Sequence, residues 1–178
     1  MNLPTLSTIA QDGRYGLKHS RNHYSVIVID AYQPPYIPWH MTTQEFFQVV
    51  QEHLTLDGVV EINVGRSLSD RRLINGLAGT LQSLFPSVFV MDVPYSFNSI
   101  IYATMQPTHL ANLYANLEYL NNASAHPLLI SAVNITLQNI QPTPDNQTVF
   151  TDDQAPIELI TNQLVVDFVL SGGLEEIK

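Results

Sequence analysis

The sequence predicts an α/β domain with a mixed sheet and flanking helices, and three observations carry that prediction. Tyr24-Ser-Val-Ile-Val-Ile-Asp30 is a continuous β-branched run of the kind a parallel strand shows when both of its faces are covered. A second run, Val59-Val-Glu-Ile-Asn-Val64, follows beyond a helix-periodic stretch. Strand, helix and strand within about 40 residues is the spacing of a βαβ crossover, which makes the two strands parallel. Third, Val88 to Val93 and Ser99 to Met105 flank Pro94-Tyr-Ser-Phe-Asn98 and read as an antiparallel hairpin with a long turn.

Between these strands the helices announce themselves by spacing. The loop from Ala31 to Met41 carries Pro34, Pro35 and Pro38, which hold it extended. Thr42-Thr-Gln-Glu45 then reads as a capping box, and Phe46, Phe47, Val50 and Leu54 recur at helical intervals up to a stop at Asp57-Gly58, with Gly58 opening the second strand. Beyond Gly65, the stripe Leu73, Leu77, Leu81 and Leu84 predicts a helix capped by Ser67 or Ser69 and closed by Pro86. Leu110, Leu113, Leu117 and Leu120 mark another core-facing helix, with a weaker one across Leu129, Val133, Leu137 and Ile140. The segment from Gln141 to Gln147 is a loop. A last helix starts around Asp153 to Pro156, turns Ile157, Ile160, Leu164 and Phe168 inward, and stops at Gly172-Gly173.

Composition narrows the function classes. A chain of 178 residues, 45% hydrophobic, builds one domain or part of one. Asp and Glu outnumber Lys and Arg by 16 to 7, and the net charge of −9 argues against a grip on nucleic acid or anionic lipid and suits a cationic partner. The chain has no cysteine, which removes thiolate zinc sites and cysteine nucleophiles and fits a reducing, cytoplasmic compartment. No apolar stretch approaches the roughly 20 residues of a membrane helix. His19 and His23 lie four apart without a third ligand at metal spacing, so no metal site is expected.

In open α/β sheets, ligands bind beyond the carboxyl ends of the parallel strands. That rule singles out Asp30, the Pro-rich loop after it, and Asn63 to Arg66. Taken alone, Asp30 also reads as a loop-capping carboxylate and Asp12-Gly13 as a turn. His40, in the loop covering that end, reads first as a packing residue.

Several strings in order, Asp12-Gly-Arg14, Tyr24 to Asp30, Ile37-Pro-Trp-His-Met-Thr-Thr-Gln-Glu-Phe-Phe47, Leu56-Asp-Gly-Val59 and Asn63, resemble the polyamine aminopropyltransferases. These are the spermidine synthases and their relatives in the S-adenosylmethionine methyltransferase-like superfamily. Asp12 and Asp30 stand 18 positions apart, matching that family's spacing between adenine-contacting and catalytic Asp. Val93-Pro-Tyr95 resembles the segment that closes over the acceptor amine, and Thr151-Asp-Asp-Gln-Ala-Pro-Ile-Glu158 is similar to a stretch of longer bacterial spermidine synthase-like proteins, many of them fused to a transmembrane part.

The resemblance implies the C-terminal part of a Rossmann-like, methyltransferase-type mixed sheet with its N-terminal strands missing. Residues 1–178 would form a single incomplete domain, with 106–178 a helical extension packing on it. It further implies transfer of an aminopropyl group from decarboxylated S-adenosylmethionine to a polyamine such as putrescine. Asp30 would serve as the catalytic base; Asp12, Gly13 and Ala31 would contact the co-substrate; Tyr32, Gln33 and Tyr95 would line the amine channel, as aromatic faces suit cations. Gln33 stands where the family usually carries a second Asp, which bears on the acceptor amine. The family's glycine-rich loop and ribose-gripping acid lie upstream of the adenine-binding Asp, and no Gly-x-Gly pattern precedes Asp12. The expectation is therefore one piece of an enzyme, inactive by itself, whose bared strand edge favours a homo-oligomer or the missing half as partner. Alternative readings are a noncatalytic binding or assembly module and a methyltransferase-like enzyme.

Overall fold

The computed structural model describes residues 6–31, 37–67, 70–145 and 148–170, and only the backbone of Phe168. A five-stranded mixed sheet in the order β1-β2-β4-β3-β5 forms the centre of the molecule. β1 (Tyr24–Ile29) pairs parallel to β2 (Leu54–Gly65), Ile29 lying beside Ile62. β3 (Ser87–Asp92) and β4 (Asn98–Thr104) form the hairpin, and β4 inserts antiparallel between β2 and β3. The short β5 (Ile140–Gln141) adds to the outer edge of β3.

Side-chain alternation explains which face is covered. Ile29, Val60, Ile62, Val64, Val88, Val90, Ile101 and Ala103 are buried on one face. Against it pack α2 (Gln44–Glu52), through Phe46, Phe47 and Val50, and α3 (Arg72–Gln82), through Leu73, Ile74, Leu77 and Leu81. α6 (Ile157–Leu170) adds Ile157 and Ile160. Phe150, just before it, is 1% exposed and lies on α3 at Gly76, where a Cβ would come within 2.0 Å of the ring. Glycine is the residue that lets that ring approach the helix backbone.

The opposite face departs from expectation. Val26 and Val28 are 56% and 58% exposed, so β1 has one covered face, not two. Its β-branched run signals a buried strand, but among the described residues nothing covers those side chains and β2 is its only neighbour in the sheet. α4 (Leu110–Asn122) and α5 (Pro127–Asn139) pair with each other beside the far side of this face and bury no residue fully, so Leu110, Leu113, Leu117 and Leu120 are half-buried and not a core stripe.

Several boundaries also move. Asp12-Gly13 opens a helix, α1 (Gly13–Lys18), and not a simple turn. Thr43, not Thr42, caps α2, its hydroxyl accepting from the Phe46 N–H at 3.3 Å. No capping box closes, because Glu45 turns away to accept the Asp152 N–H at 2.9 Å. β2 begins at Leu54, its first residues bulging against β1 between Tyr24 and Val26 before Gly58 is reached. The start of α3 is organised by Asp70, which accepts from the Arg72 N–H, while Ser67 supports Asp70; Ser69 lies outside the described residues.

Candidate active site

The parallel pair sets the geometry. Asp30 leaves the carboxyl end of β1 beside Asn63 of β2, and the Asn63 side-chain amide donates to its carboxylate at 2.9 Å. Asn63 Oδ1 is buried and has no hydrogen-bond partner among the described residues. Two positions back on the same face, Glu61 lies between Val28 of β1 and Tyr102 of β4. Burial pushes the Glu61 carboxyl above its ordinary value, and the Asp30 charge adds to the shift. Tyr102 is pushed up to about 12, by burial first and by Glu61 second. The patch is thus an exposed carboxylate, a partly desolvated one and an unfilled acceptor along one strip of sheet. It suits a cationic N–H donor and repels anions.

The hairpin closes the same end. Gly65 pairs with Asn98, so the turn carrying Tyr95 lies at the carboxyl end of β2. Arg66 fastens it: its N–H donates to the Phe97 carbonyl at 2.7 Å and its guanidinium to the Ser96 carbonyl at 3.0 Å. Asp92, behind the turn, receives a fork from Arg71 at 2.9 and 3.1 Å and the Ser99 hydroxyl at 2.6 Å. Burial raises the Asp92 carboxyl, but the hydrogen bonds from Arg71 and Ser99 outweigh it and the net shift is downward. On this anchored turn Tyr95 is fully exposed at φ 58°, a left-handed conformation costing a tyrosine roughly 1–3 kcal/mol.

Asp12 belongs to a second cluster, at the start of α1. One carboxylate oxygen accepts the Tyr15 N–H at 2.8 Å and the other accepts from His40 Nε2 at 2.8 Å. These two contacts hold the carboxyl below its ordinary value, the Tyr15 N–H contributing most. His40 sits on the single 3-10 turn Trp39–Met41 that leads into α2. Gly13, the first residue of α1, has the Met41 methyl against it, where a Cβ would stand 3.0 Å away. Among the described residues no hydrogen bond links this cluster to Asp30.

Of the residues singled out by sequence, the structure therefore brings Asp30, Ala31 and the Tyr95 turn to one end of the sheet and holds Asp12 and Gly13 at α1. Tyr32 and Gln33 lie outside the described residues. Two residues that the sequence does not single out, Glu61 and Arg14, join these clusters. The signal for Glu61 is present all the same: Glu61 and Asn63 alternate with Val60, Ile62 and Val64, which is the mark of a strand with one polar face. Among the described residues no group of three or more His, Asp or Glu side chains could hold a metal ion, and no helix is long and apolar enough to cross a membrane.

In fold this architecture is similar to part of the S-adenosylmethionine methyltransferase-like proteins, spermidine synthases among them. A spermidine synthase solved with the transition-state analogue AdoDATO superposes with TM-score 0.55 at 15% identity, covering 93% of this chain and 53% of that one. Human methyltransferase-like protein 13, solved with SAH, gives 0.50 at 22% identity over 74% of this chain and 58% of its own. In sequence the chain is similar to the probable polyamine aminopropyl transferase of Bifidobacterium longum, 28% identical across 88% of this chain and 39% of the relative. It is likewise 28% identical to the polyamine aminopropyltransferase of Vibrio vulnificus, across 83% of this chain and 48% of that protein. The chain spans less than half the length of these curated relatives. No protein-family model matches it.

Proposed function

We propose that this chain forms the amine-binding, proton-accepting part of a polyamine aminopropyltransferase. The observation that carries the reading is the Asp30–Asn63 pair at the carboxyl end of a parallel strand, with Glu61 behind it. A diamine such as putrescine arrives as a dication. Asp30 and Glu61 would hold one ammonium and lower the cost of desolvating it, and the orphaned Asn63 Oδ1 supplies a further acceptor for an amine N–H. For chemistry, one amine must lose its proton before its lone pair attacks the methylene beside a sulfonium. Asp30, exposed and oriented by Asn63, is placed to accept it.

The donor in this reading is decarboxylated S-adenosylmethionine. Attack forms the new C–N bond, the C–S bond breaks, and its electron pair leaves on sulfur as methylthioadenosine. Asp12, with lone pairs still free beyond its Tyr15 and His40 contacts, would accept the adenine amine, with Gly13 and Ala31 lining the nucleoside path. Tyr95 would fold over the bound amine with Tyr32 and Gln33, and no metal is needed because sulfide is a good leaving group. A cytoplasmic setting goes with this reading.

The edge of β1, unpaired among the described residues, supports a further element, that further strands complete the sheet beside it in the active protein. The test is methylthioadenosine release from decarboxylated S-adenosylmethionine and putrescine. The chain by itself should give none; joined to the completing strands it should turn over, and Asp30→Asn should remove that turnover. Wild-type turnover by Asp30→Asn at saturating putrescine would refute the assignment. Binding of putrescine without any release from the completed sheet would favour the noncatalytic module.

A further inference from the structure

The cluster around Asp12 is tied to a distant part of the chain. Arg14, the second residue of α1, sends a fork to Asp152, 2.8 and 2.7 Å from its two carboxylate oxygens and 138 residues away in sequence. The same guanidinium donates to the His40 carbonyl at 3.0 Å. Asp152 is fixed from its other side, by the Thr43 hydroxyl at 2.7 Å and through its own N–H, which donates to Glu45 at 2.9 Å. Thr43 is fully buried, and Gln44 N–H donates to the carbonyl of the buried Phe150, so the clamp is rooted in the core. An exposed ion pair alone contributes little. A bidentate fork tied to a buried cap fixes orientation instead.

What it orients is His40. Arg14 holds the backbone of that residue while its ring Nε2 donates to Asp12, and the Tyr15 N–H takes the other oxygen. The Asp12 carboxylate is therefore aimed from both sides and still 48% exposed. We propose that Arg14, together with Asp152, is a positioning residue that aims the Asp12 carboxylate and so sets selectivity for a 6-amino over a 6-oxo purine. A fixed carboxylate accepts the exocyclic N–H of adenine and repels the carbonyl oxygen of hypoxanthine; a swivelling one discriminates less. This inference rests on the reading of Asp12 as the adenine contact.

The experiment titrates the chain with methylthioadenosine and methylthioinosine by NMR, in wild type, Arg14→Gln, Arg14→Lys, Asp152→Asn and Asp12→Asn, and records the His40 imidazole nitrogen spectrum of each. Arg14→Gln and Asp152→Asn should cut the preference for the 6-amino nucleoside about tenfold, the worth of one charge-assisted hydrogen bond. Both should also weaken the hydrogen-bonded His40 Nε2–H signal. Arg14→Lys, with charge but no fork, should recover only part of the preference. An Arg14→Gln or Asp152→Asn variant that keeps both the preference and the His40 signal overturns the clamp. Asp12→Asn with unchanged nucleoside preference overturns the adenine reading instead, while the His40 signal in Arg14→Gln still decides whether Arg14 positions the ring. Should Arg14→Gln fail to fold, Asp152→Asn, nearly isosteric, breaks the same fork and decides the same question.

Discussion

Asn63 holds Asp30 by its amide nitrogen at 2.9 Å while its own amide oxygen, buried in the sheet, has nothing to accept among the described residues. An unsatisfied buried acceptor costs about 1–3 kcal/mol, a cost that a ligand N–H would relieve. Replacing Asn63 by Ala removes both the orienting donor and the orphaned acceptor. The expected outcome is a putrescine affinity lower by about tenfold, with stability within about 1 kcal/mol of wild type because the two changes oppose one another. Calorimetric titration and urea denaturation read the two quantities separately.

Glu61 predicts a trade between stability and binding. Its carboxyl lies above the ordinary 4.5, raised by burial and then by Asp30. The folded chain therefore binds this proton more readily than the unfolded chain does: stability is reduced above the raised value and recovers as pH falls through it. Glu61→Gln removes that cost, so near neutral pH the variant should melt higher than wild type, with the gap narrowing on acidification. It should also bind putrescine more weakly. Thermal melts across pH check the first effect, and a higher wild-type midpoint at neutral pH contradicts it.

Asp92 behaves in the opposite sense. Arg71 and Ser99 outweigh its burial and hold the carboxyl below 3.8. Its contribution is fully present above that value and is lost as pH falls through the lowered one. Asp92→Asn should cost about 1–3 kcal/mol at neutral pH, and the difference from wild type should vanish in acid. The Tyr95 turn, which Asp92 backs through Arg66, should exchange its amides faster in the variant.

Gly76 and Phe150 give a prediction in which a sign reverses. A Cβ at Gly76 would lie 2.0 Å from the Phe150 ring, so Gly76→Ala should destabilise wild type by about 1–3 kcal/mol. Phe150→Ala should cost about 3–5 kcal/mol. In that background the obstacle is gone, and Gly76→Ala should stabilise by up to about 1 kcal/mol through helix propensity. A double-mutant cycle in urea measures the coupling, and additive effects contradict the packing.

Much of the fold is legible because it is written in periodicity. The β-branched runs locate β1 and β2, the Leu73 to Leu81 stripe locates α3, and the spacing between runs implies the parallel crossover. Long-range pairing is not legible in this way. Glu45 completes a sequence signature for a capping box, yet it serves the Asp152 backbone, a partner over a hundred residues away that no local pattern names. Leucines at helical spacing in α4 look identical to those in α3; only the tertiary arrangement leaves the first set half-exposed. The candidate site divides the same way. Asp30 follows from the strand-end rule and a family resemblance, whereas the Glu61, Asn63 and Tyr102 strip needs the register between strands, and the Arg14 clamp needs the fold itself.

Whether the carboxyl end of β1 binds a polyamine through Asp30 decides the functional reading as a whole. The decisive experiment is a putrescine titration of the isotope-labelled chain, at an ionic strength high enough to screen its diffuse net charge of −9. Saturating shifts centred on Asp30, Glu61 and Asn63, spreading to the Tyr95 turn and lost in Asp30→Asn, are the expected outcome. Shifts that scatter over the acidic surface without saturating, or that survive Asp30→Asn unchanged, would contradict it.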